Sequence, residues 1–141
     1  MNVSATLHFP ADTQKLPEVL DKLDTNLLAA GCPEDARTQL AVAVEEIFVN
    51  IANYAYPGKA GAATINIKAD AHKATICFAD SGIAYDPLQK EDPNIDQAAE
   101  DRPIGGLGIF LVRKNSSSVS YERTPEGKNV FTIVMKLPSG S

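Results

Sequence analysis

The amino-acid sequence predicts an α+β two-layer sandwich, with helices packed on one face of a mixed, largely antiparallel sheet. Three observations predict it. Period-two alternation marks the opening stretch and two later pairs of stretches, two successive helical patterns follow the first alternating stretch, and each later pair is joined by a short run of turn residues. Strands that follow one another through tight turns pair antiparallel, which leaves the helices to cover a single face.

The first strand is Val3 to Phe9, with Ala5, Leu7 and Phe9 on one side and Pro10 ending it. Leu16, Val19, Leu20, Leu23 and Leu27 then recur at helical spacing until Gly31 stops the pattern. Pro33, Glu34 and Asp35 supply a favourable first turn for a second helix, expected from about Pro33 to Tyr56, where Pro57-Gly58 ends it. Residues 62 to 80 read as a hairpin: Ile65 and Ile67, then Ala74, Ile76 and Phe78, alternate on either side of an Asp70-to-Lys73 turn. Asp86 to Pro103 is polar, carries three prolines and has no sustained period, the pattern of a functional loop or lid, placed at about 86–104. Ile104 to Lys114 reads as a glycine-opened helix. Val119 to Arg123 and Asn129 to Leu137 close the sheet as a hairpin around Pro125-Glu126-Gly127. Residues 1–141 are expected to form a single domain, since 141 residues with 44% hydrophobic content leave little room for a second core.

Composition narrows the function. Net charge is −5, with 13 basic against 18 acidic residues and no basic cluster, so a direct nucleic-acid ligand is not expected. No apolar run approaches the roughly 18 residues of a membrane span and no signal-peptide layout opens the sequence, which predicts a cytoplasmic protein without a membrane partner. Cys32 and Cys77 lack metal-ligand or CxxC spacing and are expected to be buried thiols. His8 falls on a strand and His72 in a turn, with no triad or zinc constellation around either.

Three features carry chemistry. On the second helix Leu40, Val44, Ile47, Phe48, Ile51 and Ala55 form one stripe, and Glu46, Asn50 and Asn53 form another nearly opposite. Such a stripe is either a solvated outer face or, since asparagine adds nothing to an exposed helix, a set of oxygen donors for hydrated Mg²⁺ and phosphate. Asp80 shares strand parity with Ile76 and Phe78, so its carboxylate points inward. It either bonds the backbone of the Ser81-Gly82 turn or accepts the exocyclic amino group of a buried purine, with Gly82 letting the base approach. Gly105-Gly106-Leu107-Gly108 precedes the apolar run Ile109 to Val112 and is either a flexible loop or a phosphate cradle at a helix N-terminus. It fits neither the Rossmann fingerprint nor the P-loop.

Together and in this order, Glu46-Ile47-Phe48-Val49-Asn50 resembles the N-box of the GHKL ATPases, Asp80-Ser81-Gly82 the first glycine box, and Gly105 to Val112 the second. The closest variant is the free-standing RsbW-type anti-sigma-factor serine kinases, and the resemblance runs from the opening strand to Leu137. It implies the Bergerat ATP-binding fold, with ATP or ADP and Mg²⁺ as cofactors. It also implies Asp80 on the adenine amino group, Asn50 on Mg²⁺, and Gly105, Gly106, Leu107 and Gly108 around the phosphates beneath a lid. Glu46 corresponds to the general base, with Asn53 assisting on the phosphate side. Two departures stand out: Ala84 where the first glycine box carries glycine or proline, and Asn115-Ser116-Ser117-Ser118 where an apolar and acidic stretch is usual.

The resemblance further implies a partner switch. Such a kinase, usually a homodimer, sequesters a sigma factor and phosphorylates a serine of a STAS-domain anti-anti-sigma factor. The alternative is an ATP-binding sequestering module that transfers no phosphate. The catalytic half of a histidine kinase is the remaining possibility, and no stretch resembles its histidine-bearing dimerisation hairpin.

Overall fold

The structure is a computed structural model and describes residues 2–84 and 118–137. Strand β1 (Val3–Pro10) leads through a 3-10 turn (Thr13–Lys15) into α1 (Leu16–Ala29), then α2 (Glu34–Asn50) and a single π turn (Ile51–Ala55). Four strands complete the described residues: β2 (Ala62–Ala69), β3 (Lys73–Asp80), β4 (Ser118–Arg123) and β5 (Asn129–Lys136). The sheet order is β1-β2-β3-β5-β4, and every pairing among the described residues is antiparallel. The expected two-layer α+β architecture is the observed one.

Each helix end has a local cause. The Asp12 carboxylate accepts the Gln14 amide N–H at 2.9 Å and so caps the 3-10 turn that feeds α1. Gly31 adopts φ +84, which turns the chain after α1 and lets the Cys32 amide reach the Leu27 carbonyl at 3.0 Å. Pro33 is the extended residue before α2 rather than its first residue, and Glu34 and Asp35 place negative charge on the first turn. Arg37 fastens the two helices together, donating from Nε to Asp24 and from Nη1 to the Cys32 carbonyl, both at 2.9 Å.

The core lies between the helices and one face of the sheet. Val19, Leu23 and Leu27 of α1 and Leu40, Val44, Ile47 and Phe48 of α2 are buried against Ile65, Ile67, Ile76, Phe78 and Ile133. Period-two alternation sends these strand residues inward and leaves Thr6, His8, Thr64, Asn66 and Thr132 on the other side. Thr6 donates to Asn66 across the strands at 2.8 Å. Cys77, expected to be buried, stands on this polar side and is only half-buried, because it falls between the inward residues Ile76 and Phe78. Cys32 is buried as expected.

Candidate nucleotide site

The expected single helix from Pro33 to Tyr56 changes its hydrogen-bonding pattern after Asn50, where the π turn takes over. That turn brings the Ala55 carbonyl to the segment that leaves β3, where it accepts the Ile83 amide N–H at 2.8 Å. Gly82 packs directly beneath it, and a Cβ on Gly82 would overlap the Ala55 carbonyl. The glycine is therefore required by the approach of the strand end to the helix end. Tyr56 supports the same junction: its hydroxyl accepts the Ser81 amide at 2.9 Å and donates to the Ala62 carbonyl at 2.6 Å.

Against this junction lies a cavity lined by Ile47, Asn50, Ile51, Ala55, Phe78, Asp80, Tyr121, Asn129 and Phe131. Its apolar walls come from α2, the π turn and the inward faces of β3 and β5, and a few polar groups converge on it. The enclosed space is narrow, about 20 Å³, the scale of one water rather than of a ring system. Admitting a planar base requires the lining to open.

Asn50 and Asp80 are the two sequence-predicted site residues that line the cavity, and both are buried, 5% and 7% exposed. Asn50 sits on the border between the polar and apolar stripes of α2, so the reading of its stripe as a solvated outer face does not hold for it. Its Nδ2 donates to Glu46 Oε2 at 3.3 Å, which brings the predicted base and the predicted metal ligand together one turn apart. Asn53 goes elsewhere. It follows the change of helical step, is exposed, and lines a separate shallow cleft with Pro10, Asp12 and Gly61. Gly105, Gly106, Leu107 and Gly108, the lid segment and the expected helix from Ile104 to Lys114 lie outside the described residues.

Asp80 shows one of its two anticipated arrangements directly. Its Oδ1 accepts the Gly82 amide N–H at 2.9 Å, the turn bond that an inward carboxylate calls for. The same oxygen accepts from Asn129 Nδ2 at 2.9 Å. Both described donors fall on Oδ1, so among the described residues no hydrogen-bond partner meets Oδ2.

Asn129 and Tyr121 were not singled out from the sequence. The signal was present, since Asn129 shares strand parity with the inward residues Phe131, Ile133 and Met135. A buried polar residue on the core side of a strand asks for a partner, and strand register supplies Asp80 as its direct neighbour.

The profile of the histidine kinase-like ATPase domain matches residues 9–134, which span both the described site and the second glycine box. The chain belongs to this family. It is also similar to the serine/threonine-protein kinase BtrW of Bordetella bronchiseptica, with 31% identity over 98 residues, covering 69% of this chain and 68% of that kinase. ATP binding goes with membership of the histidine kinase-like ATPase domain family. Among the described residues no helix is long and apolar enough to cross a membrane.

The donors fit a magnesium ion that arrives with its nucleotide. No cluster of three or more histidine, cysteine or acidic side chains is assembled among the described residues, so a protein-only cation cage is not formed there. Mg²⁺ keeps several waters and needs only one or two protein oxygens besides phosphate, and Asn50 beside Glu46 offers oxygen donors of that kind.

Proposed function

We propose that this chain is an ATP-dependent serine protein kinase that acts as an anti-sigma factor in a partner switch. In this reading it phosphorylates a serine of a STAS-domain anti-anti-sigma factor and holds a sigma factor in the alternative complex. The observation that carries the reading is the pairing of Glu46 with Asn50, which lines a cavity together with a buried carboxylate, Asp80. Family membership and the similarity to a serine/threonine-protein kinase support it.

In the proposed mechanism Asp80 accepts the amino group of adenine, and the apolar walls Ile47, Ile51, Phe78 and Phe131 cover the ring. Asn50 would hold the Mg²⁺ that accompanies the phosphates, and the metal would supply positive charge against the charge that builds on them. Glu46 takes the proton of the partner's serine hydroxyl as that oxygen bonds to the γ-phosphorus and the bond to the β-γ bridging oxygen breaks, releasing ADP. The second glycine box is assigned to the phosphates. Phosphoryl transfer asks chiefly for in-line positioning and charge stabilisation, so one carboxylate, one metal and oriented backbone amides suffice. The proposal includes a homodimer working in the cytoplasm.

The deciding experiment incubates the chain with labelled Mg-ATP and candidate STAS-domain proteins, using wild type and Glu46→Gln. Label on a STAS serine with wild type and none with the variant is the expected result. ATP binding with no transfer to any candidate, and partner capture indifferent to Glu46→Gln, would instead identify a sequestering module without kinase activity.

A further inference from the structure

Strand register places three side chains in one row across the closing half of the sheet, two of them buried: Asp80 on β3 faces Asn129 on β5, and Asn129 faces the exposed Arg123 on β4. The row is hydrogen-bonded throughout. Asn129 Nδ2 donates to Asp80 Oδ1 at 2.9 Å and to the Ile83 carbonyl at 2.7 Å. Asn129 Oδ1 accepts from the Tyr121 hydroxyl and, at 3.2 Å, from Arg123 Nη1. The same Nη1 donates to the Gly82 carbonyl at 2.7 Å.

The sense of the Asn129 amide matters because its two ends impose opposite demands on Asp80. A guanidinium only donates, so the amide oxygen belongs on the Arg123 side and the amide nitrogen on the Asp80 side. A donor facing Asp80 is met by a carboxylate oxygen, whereas the reverse amide sense would set two acceptors against each other. Oδ1 already takes the Gly82 and Asn129 hydrogens, so the acceptor capacity left for a ligand is concentrated on Oδ2.

We propose that Asn129 and Arg123 are positioning residues for base selection: Arg123, together with the Ile83 carbonyl on the opposite side, fixes the sense of the Asn129 amide, and Asn129 occupies Asp80 Oδ1 so that Oδ2 is left to accept from the ligand. The site thereby selects purines with an amino group at position 6 over those with an oxo group. This rests on the nucleotide reading of the cavity. The residues that choose the base thus include one on β4 that does not line the cavity.

The test measures dissociation constants of Mg-ATP and Mg-ITP, which differ at position 6, for wild type, Arg123→Met, Asn129→Leu and Asn129→Thr. Thermal melts confirm that each is folded. Wild type is expected to prefer ATP, and Arg123→Met and Asn129→Leu to lower the ATP-to-ITP preference by about tenfold, the scale of one hydrogen bond to a charged group. Asn129→Thr keeps a hydroxyl donor for Asp80 and recovers part of the preference. If folded Arg123→Met and Asn129→Leu weaken both nucleotides equally, or neither, the two residues serve structure alone and the inference fails while the nucleotide site stands. If wild type binds neither nucleotide, the nucleotide reading falls and takes the inference with it.

Discussion

Gly82 lies so close to Ala55 that the Ala55 backbone carbonyl occupies the space where a side chain on Gly82 would begin. Neither partner can yield cheaply, because the obstruction is main chain and the adjacent Ile83-to-Ala55 hydrogen bond fixes the spacing. Gly82→Ala is therefore expected to destabilise the fold by about 2 kcal/mol, in the range of an overpacked core site. Gly127→Ala offers the contrast. An added Cβ there would meet the Arg123 guanidinium at an ordinary 3.8 Å, but φ is +84, so only the backbone penalty of about 1 kcal/mol applies. Urea unfolding of both variants checks the order, and a Gly82→Ala variant no weaker than Gly127→Ala would refute the close approach.

The Asp70 carboxylate organises the turn between β2 and β3, accepting the amides of His72 at 2.7 Å and Lys73 at 3.0 Å. These bonds hold its carboxyl below the ordinary value of 3.8, His72 first and Lys73 second. A depressed folded-state pKa contributes stability that is complete above the unfolded value and is lost as pH falls through the folded one. Asp70→Ala should thus be less stable than wild type at neutral pH, and the gap should narrow as pH falls below about 3.8. Unfolding midpoints measured from pH 7 down to the acid limb check this, and a gap that stays constant would assign the loss to turn geometry rather than charge.

The two thiols should separate by environment. Cys32 is 2% exposed, and burial pushes its thiol above the ordinary value despite the opposing charge of Arg37. Only the thiolate reacts readily, so Cys32 should resist alkylation in the folded protein while half-buried Cys77 is labelled first. Peptide mapping after brief iodoacetamide treatment, with and without denaturant, reads the order. The raised Cys32 pKa also favours the folded state below the unfolded value and withdraws that support as pH rises through the folded one.

The fold was legible because both periodicities are strong. Ile65, Ile67, Ile76 and Phe78 announce their face by alternation, and Gly31 and Pro33 mark the helix boundaries. Asp80 was legible for the same reason, as an acid with core parity. The stripe that joins Asn53 to Glu46 and Asn50 extends the α-helical step past Asn50, where a π turn alters that step, and nothing in the sequence of Ile51 to Ala55 forecasts the change. Asn129 was legible in principle by parity. Its pairing with Asp80 depends on how β3 and β5, neighbours in the sheet but separated in sequence by β4, set their register, which local pattern does not fix.

Asp80 and Glu46 are expected to fail differently, and that difference separates binding from transfer. Asp80→Asn keeps the size of the side chain but can turn an amide donor toward the base, opposing an amino group. Mg-ATP at about a hundred times its dissociation constant should stabilise wild type by roughly 2.7 kcal/mol and raise the midpoint by several degrees. Asp80→Asn should lose most of that shift. Glu46 is not among the lining residues, and glutamine keeps an oxygen to accept from Asn50, so Glu46→Gln should keep the shift while losing transfer to a STAS-domain serine. Thermal scans with and without Mg-ATP, run beside the phosphotransfer assay, read both. Loss of the shift in Glu46→Gln would make Glu46 a binding residue, and an undiminished shift in Asp80→Asn would move the adenine away from this cavity.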